Sequence, residues 1–87
     1  MGNSGKIRED IRELQAGGVR FSRLVTVCTK WFGQPRITGS HHVFKMPWKG
    51  RPTINLQKAP GGKAKSYQVG QVVTTLEKLA KLRDDDE

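Results

Sequence analysis

The most regular apolar pattern in this sequence lies between Tyr67 and Leu82. Its apolar residues recur at intervals of three and four, so they share one face of a helix. These residues are Val69, Val72, Val73, Leu76, Leu79 and Ala80. Such a face must be buried, and 87 residues provide enough chain for one small domain with a modest core. The pattern therefore predicts a C-terminal helix over Tyr67–Leu82 that covers the core of a single domain.

A second helix is predicted over Arg20–Phe32. Its apolar residues follow helical spacing, which outweighs the strand propensity of its β-branched residues. The stripe consists of Phe21, Leu24, Val25, Cys28, Trp31 and Phe32. We expect Cys28 and Trp31 to be core residues, Ser22 to cap the helix, and Gly33 to follow its last turn.

A third helix is predicted near the N-terminus, over Lys6–Gln15. Its apolar stripe is narrow and consists of Ile7, Ile11 and Leu14. We expect Ser4 to cap this helix and Gly17-Gly18 to end it. Because the stripe is thin, the helix is expected to pack at the periphery. Residues 1–5 are expected to be disordered.

The middle of the chain is predicted to form three short strands. They are Arg36–Thr38, His42–Met46 and Thr53–Gln57. Gly39-Ser40 separates the first two strands, and Lys49-Gly50 provides a plausible hairpin tip before the third. Alternation within the third strand directs Ile54 and Leu56 inward.

Together these elements predict an α+β domain in the order α-α-β-β-β-α. A three-stranded antiparallel sheet would carry helices Arg20–Phe32 and Tyr67–Leu82 on one face. Ala59–Ser66 is predicted to be a flexible basic loop. The domain is expected to span residues 6–83, with its core in 19–82 and an acidic tail at 84–87, and the charged segment after Leu82 is expected to fray.

The chain is strongly basic. It has 16 Lys and Arg residues against 8 Asp and Glu residues, a formal net charge of +8, and Asp84–Glu87 supplies half of the acids. This charge favours nucleic acid or an acidic protein as partner. We expect no membrane association, because there is no long apolar run and no leader-like segment. The single cysteine, Cys28, fits a reducing cytoplasm, and no metal or other cofactor is expected, because one cysteine and two adjacent histidines do not make a usual zinc set.

The two histidines, His41 and His42, are adjacent and follow Gly39 and Ser40. Adjacent histidines at the start of a strand are commonly polar surface residues. They can also carry acid/base chemistry, because histidine changes protonation near neutral pH. RNA cleavage needs a neutral imidazole to take the 2′-OH proton and an acid to protonate the leaving 5′ oxygen. Ser40 could donate a hydrogen bond to the phosphate.

Binding without catalysis is the alternative that composition alone favours. A basic three-stranded sheet with helices on one face suits recognition of double-stranded RNA by shape. Trp48 could stack on a base or belong to the core. The candidate RNA-binding residues are Arg36, Lys45, Trp48, Lys49, Arg51, Lys58, Lys63 and Lys65. In the catalytic alternative, Lys45, Lys63 and Lys65 could also stabilise the charge of the phosphorane.

Three segments resemble those of a known family. Gly39–Pro47, G-S-H-H-V-F-K-M-P, resembles the Gly-Ser-x-His-x-Phe strand signature of the HicA toxins, which are small messenger-RNA interferases of toxin–antitoxin pairs. Ile54–Val69 resembles their third strand, basic loop and final helix start, and Val19–Val25 resembles the opening of their first core helix. The resemblance implies a fold like that of double-stranded-RNA-binding domains, metal-independent cleavage of mRNA by a histidine, and neutralisation by a HicB-type antitoxin.

The chain also departs from this family. Lys6–Gln15 is an added helix relative to the shortest members. Many members carry a Pro-x-His after the third strand, where this chain has Gln57-Lys58-Ala59, so the proton donor to the leaving group is not identified.

Strand alternation leaves two orientations for the histidines. If Val43 packs on the helices, His42 faces outward; if Phe44 does, His41 faces outward. The fixed histidine of the family motif corresponds to the second of the pair, which favours His42 as the catalytic residue. A bulge at Gly39-Ser40 could shift this alternation.

Overall fold

A computed structural model describes residues 4–50 and 52–85 of the chain. Its elements in order are α1 (Gly5–Gln15), α2 (Phe21–Phe32), β1 (Arg36–Thr38), β2 (His41–Lys45), β3 (Thr53–Gln57), a single 3-10 turn (Pro60–Gly62) and α3 (Ser66–Asp85). The α+β class and the order α-α-β-β-β-α are confirmed. The predicted second strand begins one residue earlier than expected and ends one residue sooner.

The three strands form one antiparallel sheet in the order β1-β2-β3. Residues that are paired across the strands share a face of the sheet. Helices α2 and α3 lie against β2 and β3, so one face is inner and the other is outer. The inner face carries Ile37, His42, Phe44, Ile54 and Leu56. The outer face carries Arg36, Thr38, His41, Val43, Lys45, Thr53, Asn55 and Gln57.

The core lies between the inner face and the three helices. Its largest fully buried side chain is that of Phe44, and Ile54 and Leu56 are buried beside it as predicted. The helices contribute Leu24, Val27, Cys28, Val72, Leu76, Leu79 and Ala80. Val69 and Val73 are half-buried at the margin of this core. The apolar faces predicted for α2 and α3 are therefore the faces that pack on the sheet.

The peripheral position expected for α1 is wrong. Ile7, Ile11 and Leu14 are all buried, and the helix packs along α3. Three apolar residues are enough to bury one side of α1 because the helix packs against a single helix, α3. The first helix is thus part of the core.

The two ends of the described chain meet through α1 and α3. Ser4 does not cap α1 with its side chain; its hydroxyl instead accepts a hydrogen bond from Arg8 Nε (3.2 Å). Arg8 also donates to Asp84 (2.8 Å), and hydrogen bonds from Ser4 and Arg8 lower the pKa of the Asp84 carboxyl. The helix continues to Asp85, so the fraying expected after Leu82 is wrong for residues 84 and 85. Disorder was expected for residues 1–5, but Ser4 and Gly5 are ordered; residues 1–3 and 86–87 lie outside the described part.

Helix α2 begins differently from the prediction. Its N-cap is Arg20, in extended conformation, and Ser22 lies inside the first turn. Arg20 is held there because it forms a β-bridge with Lys63. Cys28 is fully buried as expected, whereas Trp31 is half-buried and donates from Nε1 to the buried carboxylate of Asp10 (2.8 Å).

The basic loop between β3 and α3 is more regular than predicted. Ala59 and Lys63 close a tight turn, in which the Ala59 N–H donates to the Lys63 carbonyl (2.8 Å). The Ala64 N–H donates to the Val19 carbonyl (3.0 Å), which ties the loop to the segment before α2. A Cβ on Gly62 would lie 2.9 Å from Arg20 Nη2, and its φ of +76° also favours glycine. This loop therefore has a defined path beside the end of β3.

Candidate functional site

The two histidines lie on opposite faces of the sheet. Phe44 is buried against the helices, so His42, two residues before it, also faces inward. The outward orientation expected for His42 is therefore wrong, and His41 is the histidine on the outer face. No bulge changes the alternation, because His41 to Lys45 pair continuously with Gln57 to Thr53.

His42 has an enclosed environment. Its ring meets the ring of Phe21 edge to face, with centroids 5.2 Å apart and an interplanar angle of 77°. Its Nδ1 is buried and has no hydrogen-bond partner among the described residues. A buried polar atom without a partner costs stability, and this one faces the helix layer and not the open sheet surface.

His41 has a polar partner on the outer face. Its Nδ1 lies 2.9 Å from Asn55 Oδ1. An amide oxygen only accepts hydrogen bonds, so Nδ1 donates and carries the proton of the neutral ring. Nε2 is then the unprotonated nitrogen, free to accept a proton from a substrate. A base whose other nitrogen is held by a hydrogen bond is the arrangement that general base catalysis uses.

A chain of polar contacts passes beside His41. Gln57, directly opposite His41 in the sheet, donates from Nε2 to Ser40 Oγ (3.2 Å). Its Oε1 accepts from Lys65 Nζ (3.3 Å). These contacts bring a hydroxyl and an ammonium group to the edge of the sheet where the histidine lies. We refer to Ser40, His41, Asn55, Gln57 and Lys65 together as the outer-face cluster.

A hydrogen bond to the first turn of α3 fixes the position of Gln57. Its backbone N–H donates to Oε1 of Gln68 (3.1 Å), a buried side chain in the first turn of α3. The Gln68 amide in turn donates to the Tyr67 hydroxyl (3.2 Å). The end of β3 and the start of α3 are thus fixed to each other, which sets the distance between the strand and Lys65.

Sequence reasoning identified Ser40, His41 and Lys65 but missed Asn55 and Gln57. The alternation of β3 did contain a signal, because it directs Ile54 and Leu56 inward and hence Asn55 and Gln57 outward. What the sequence did not reveal is the register that places these two amides beside His41. Gln68 precedes Val72 by four residues and therefore lies on the buried face of α3, but its polar side chain kept it out of the predicted apolar stripe.

The predicted RNA-binding cations that the structure describes lie in three places. Arg36 and Lys45 are exposed on the outer face, opposite Val43 and Thr53 respectively. Lys58 and Lys63 are exposed on the bridged loop beside Lys65. Lys49 is exposed in the turn after β2, and Arg51 lies outside the described residues.

Trp48 does not lie with the outer-face cluster. It is half-buried against the core and lines a groove with inner-face Ile54 and with Gln71 of α3. The Lys78 ammonium group lies over its ring, 4.6 Å from the centroid. One face of the indole is therefore covered by a cation of α3, and its role in stacking on RNA stays a prediction.

Other kinds of chemistry find less support in the described structure. Burial raises the pKa of the Cys28 thiol to about 12, so the thiol is neutral and enclosed at physiological pH. Within residues 4–50 and 52–85, no three His, Cys, Asp or Glu side chains are grouped as metal ligands would be. None of the described helices combines the length and the apolar character needed to cross a membrane.

We compared the chain with models of protein families, with curated proteins and with solved structures. None of the three comparisons gives a match. What the protein does must therefore be inferred from its residues and from the geometry of the outer-face cluster.

Proposed function

We propose that this protein is an endoribonuclease that cleaves mRNA by histidine acid/base catalysis without a metal ion, as the resemblance to HicA toxins implies. The observation that carries the proposal is the environment of His41. Its Nδ1 is held by Asn55 at 2.9 Å, and a hydroxyl and an ammonium group lie on the same open face. An imidazole whose tautomer is fixed, together with a hydroxyl and an ammonium group, is a set of groups that general base catalysis at a phosphate can use.

The reaction follows from these groups. His41 Nε2 takes the proton from a ribose 2′-OH, and the 2′ oxygen forms a bond to the adjacent phosphorus. The bond from phosphorus to the 5′ oxygen breaks, leaving a 2′,3′-cyclic phosphate on one product and a 5′-hydroxyl on the other. Lys65 and Ser40 stabilise the charge on the non-bridging oxygens.

The leaving 5′ oxygen also needs a proton. The only other histidine of the chain, His42, lies on the inner face and does not reach the substrate. We therefore assign this proton to solvent water, which has access to the open outer face. Reprotonation of the 5′ oxygen by water leaves hydroxide, which the imidazolium of His41 neutralises as it returns to the neutral form.

The substrate is held by cations around the cluster. Arg36 and Lys45 on the outer face and Lys58 and Lys63 on the neighbouring loop bind phosphates of the strand. Phosphate contacts of this kind dominate RNA affinity and make it fall with salt. Since mRNA is the proposed substrate, the proposed place of action is the cytoplasm.

The experiment is cleavage of purified RNA in the presence of EDTA. The wild-type protein is compared with His41→Ala and His42→Leu, and the product ends are analysed by mass. We expect the wild type to produce 2′,3′-cyclic phosphates, and His41→Ala to lose this activity. Activity that survives in His41→Ala but disappears in His42→Leu would transfer the role to His42.

The non-catalytic alternative predicts a different result. A basic RNA-binding module would bind RNA tightly in low salt and leave it intact. Salt-dependent binding by the wild type, without cleavage under any tested condition, would support this alternative and overturn the catalytic proposal.

A protein that cleaves cellular mRNA requires an inhibitor, and we propose a HicB-type antitoxin of acidic character that covers the outer-face cluster and the basic loop. With a net charge of +8, the toxin should attract such a partner at long range. The association rate measured by stopped flow should fall as salt is raised. A rate that does not depend on salt would contradict the electrostatic part of this proposal.

A further inference from the structure

A cavity on the outer face lies next to the outer-face cluster. Two cations that line it, Arg36 and Lys45, were assigned above to phosphates, but its interior has no role so far. It measures about 230 Å³ and is lined by Phe32, Gln34, Arg36, Val43, Lys45 and Thr53. This volume is below the range of pockets that enclose drug-sized ligands, so it suits a single ring system. Apolar walls, one amide and two cations make a mixed lining in a small space.

The cavity is close to His41 because of the sheet register. Val43 follows His41 by two residues on the same face, a separation of roughly 7 Å along the strand. Asn55, which holds His41, is directly opposite Val43, and Arg36 is opposite Val43 on the other side. Asn55, which orients His41, is therefore paired across the sheet with Val43, which lines the cavity.

We infer that this cavity binds one nucleobase of the RNA strand, from the nucleotide adjacent to the one whose 2′-OH meets His41. The inference rests on the proposed function and identifies the contact that would give cleavage a base preference. The spacing of one residue pair along the strand is comparable to the step between neighbouring nucleotides in an extended RNA strand. Single-stranded bases are the part of RNA that proteins read through apolar contact and edge hydrogen bonds.

Different lining residues would contact the base and the phosphates of the nucleotide. Phe32 and Val43 provide apolar contact for the faces of a base, and the Gln34 amide offers a donor and an acceptor to its edge. Arg36 and Lys45 flank these groups and match the negative charge of the phosphates on each side of the nucleotide. This charge favours a nucleotide over an apolar peptide side chain as the occupant.

The first test compares cleavage of an RNA pool by the wild type, Gln34→Ala and a matched control, Gln15→Ala. Gln15 is exposed at the end of α1 and lines no described cavity. Gln15→Ala removes the same kind of side chain as Gln34→Ala and should leave the cleavage pattern unchanged. For Gln34→Ala we expect the base preference at one position beside the cut to change by about tenfold, the effect of losing a base-edge contact. An unchanged preference in Gln34→Ala would overturn the inference.

The second test does not depend on cleavage. Ribonucleoside monophosphates are titrated into the labelled wild-type protein and amide chemical shifts are followed. Shifts at Gln34, Val43 and Thr53 that vary with the base support the inference, even if no RNA is cut and the proposed catalysis fails. If RNA is cut at His41 but these residues do not respond to any base, the catalytic proposal stands and the base site is wrong. Shifts that inorganic phosphate reproduces in full, with no further change that depends on the base, would also reject the base site.

Discussion

The two faces of the sheet place the adjacent histidines in different environments. On the inner face, His42 is next to buried Phe44, touches Phe21 and leaves Nδ1 without a described partner. On the outer face, His41 has an amide partner and is surrounded by polar groups. Two identical side chains, one residue apart, thus occupy an apolar and a polar environment.

This difference teaches that a histidine pair on a strand is not one functional unit. Since successive side chains point to opposite faces, one histidine of such a pair is available to a substrate on a given face and the other belongs to the packing. Substitutions on the two faces should therefore separate catalysis from stability.

The largest expected effect is on catalysis at the outer face. His41→Ala should lower the rate of RNA cleavage by about 10²–10⁴-fold, the usual contribution of a general base. RNA affinity should change little, because lysines and arginines provide the phosphate contacts. Single-turnover cleavage, RNA binding and thermal melting are measured together. If His41→Ala cleaves RNA at the wild-type rate, the outer face has no catalytic histidine.

The largest effect on stability should come from the inner face. Phe44→Ala removes the largest fully buried side chain and should lower the free energy of unfolding by roughly 3–5 kcal/mol. Val43→Ala, its neighbour on the outer face, should cost about 1 kcal/mol or less, because Val43 is only half-buried. Urea unfolding of both variants measures the contrast, and equal losses would show that the outer face is packed as well.

A smaller effect is expected at the orienting residue. Asn55→Ala removes the acceptor for His41 Nδ1, and a net hydrogen-bond contribution of about 1.4 kcal/mol corresponds to a tenfold slower reaction. Asn55→Asp keeps an acceptor at the same place and should restore most of the rate. The kcat of each variant, with RNA affinity as control, provides the readout. If Ala and Asp at this position give the same rate, the amide does not orient the base.

The smallest expected effect is a gain in stability. His42→Leu replaces the buried, unpartnered Nδ1 with an apolar side chain and should raise the free energy of unfolding by about 1 kcal/mol. Cleavage should remain within a few fold of the wild type. Denaturant unfolding tests the first expectation, and a destabilised His42→Leu would mean that the His42 ring makes a contribution that its described contacts do not explain.

Much of the fold could be predicted from the sequence because its signals are local. The apolar spacing of α2 and α3 and the alternation of Thr53–Gln57 identify the elements and their buried faces. The extent of α1 burial could not be predicted in this way, because it depends on the partner helix and not on the width of the Ile7–Leu14 stripe. The same holds for the length of α3, whose last turn is held by an ion pair with Arg8, 76 residues away in sequence.

The candidate site was predictable only in part. His41, Ser40 and Lys65 were indicated by residue type, because hydroxyl, imidazole and ammonium groups suit phosphate chemistry. The choice between the histidines depended on whether Val43 or Phe44 is buried, a fact of packing that alternation alone does not decide. Asn55 and Gln57 required the strand register, which is set by the complete sheet.

The pairing of α1 with α3 has a consequence for synthesis of the chain. Helix α1 precedes α3 in the chain, so the Ile7–Leu14 stripe has no partner while the ribosome translates the segment between the two helices. At about 5–20 residues per second, that wait lasts several seconds. The inner face of the sheet likewise lacks part of its cover, on β3, until α3 has been made. The nuclease that we propose would therefore acquire a rigid catalytic surface only after α3 has been translated.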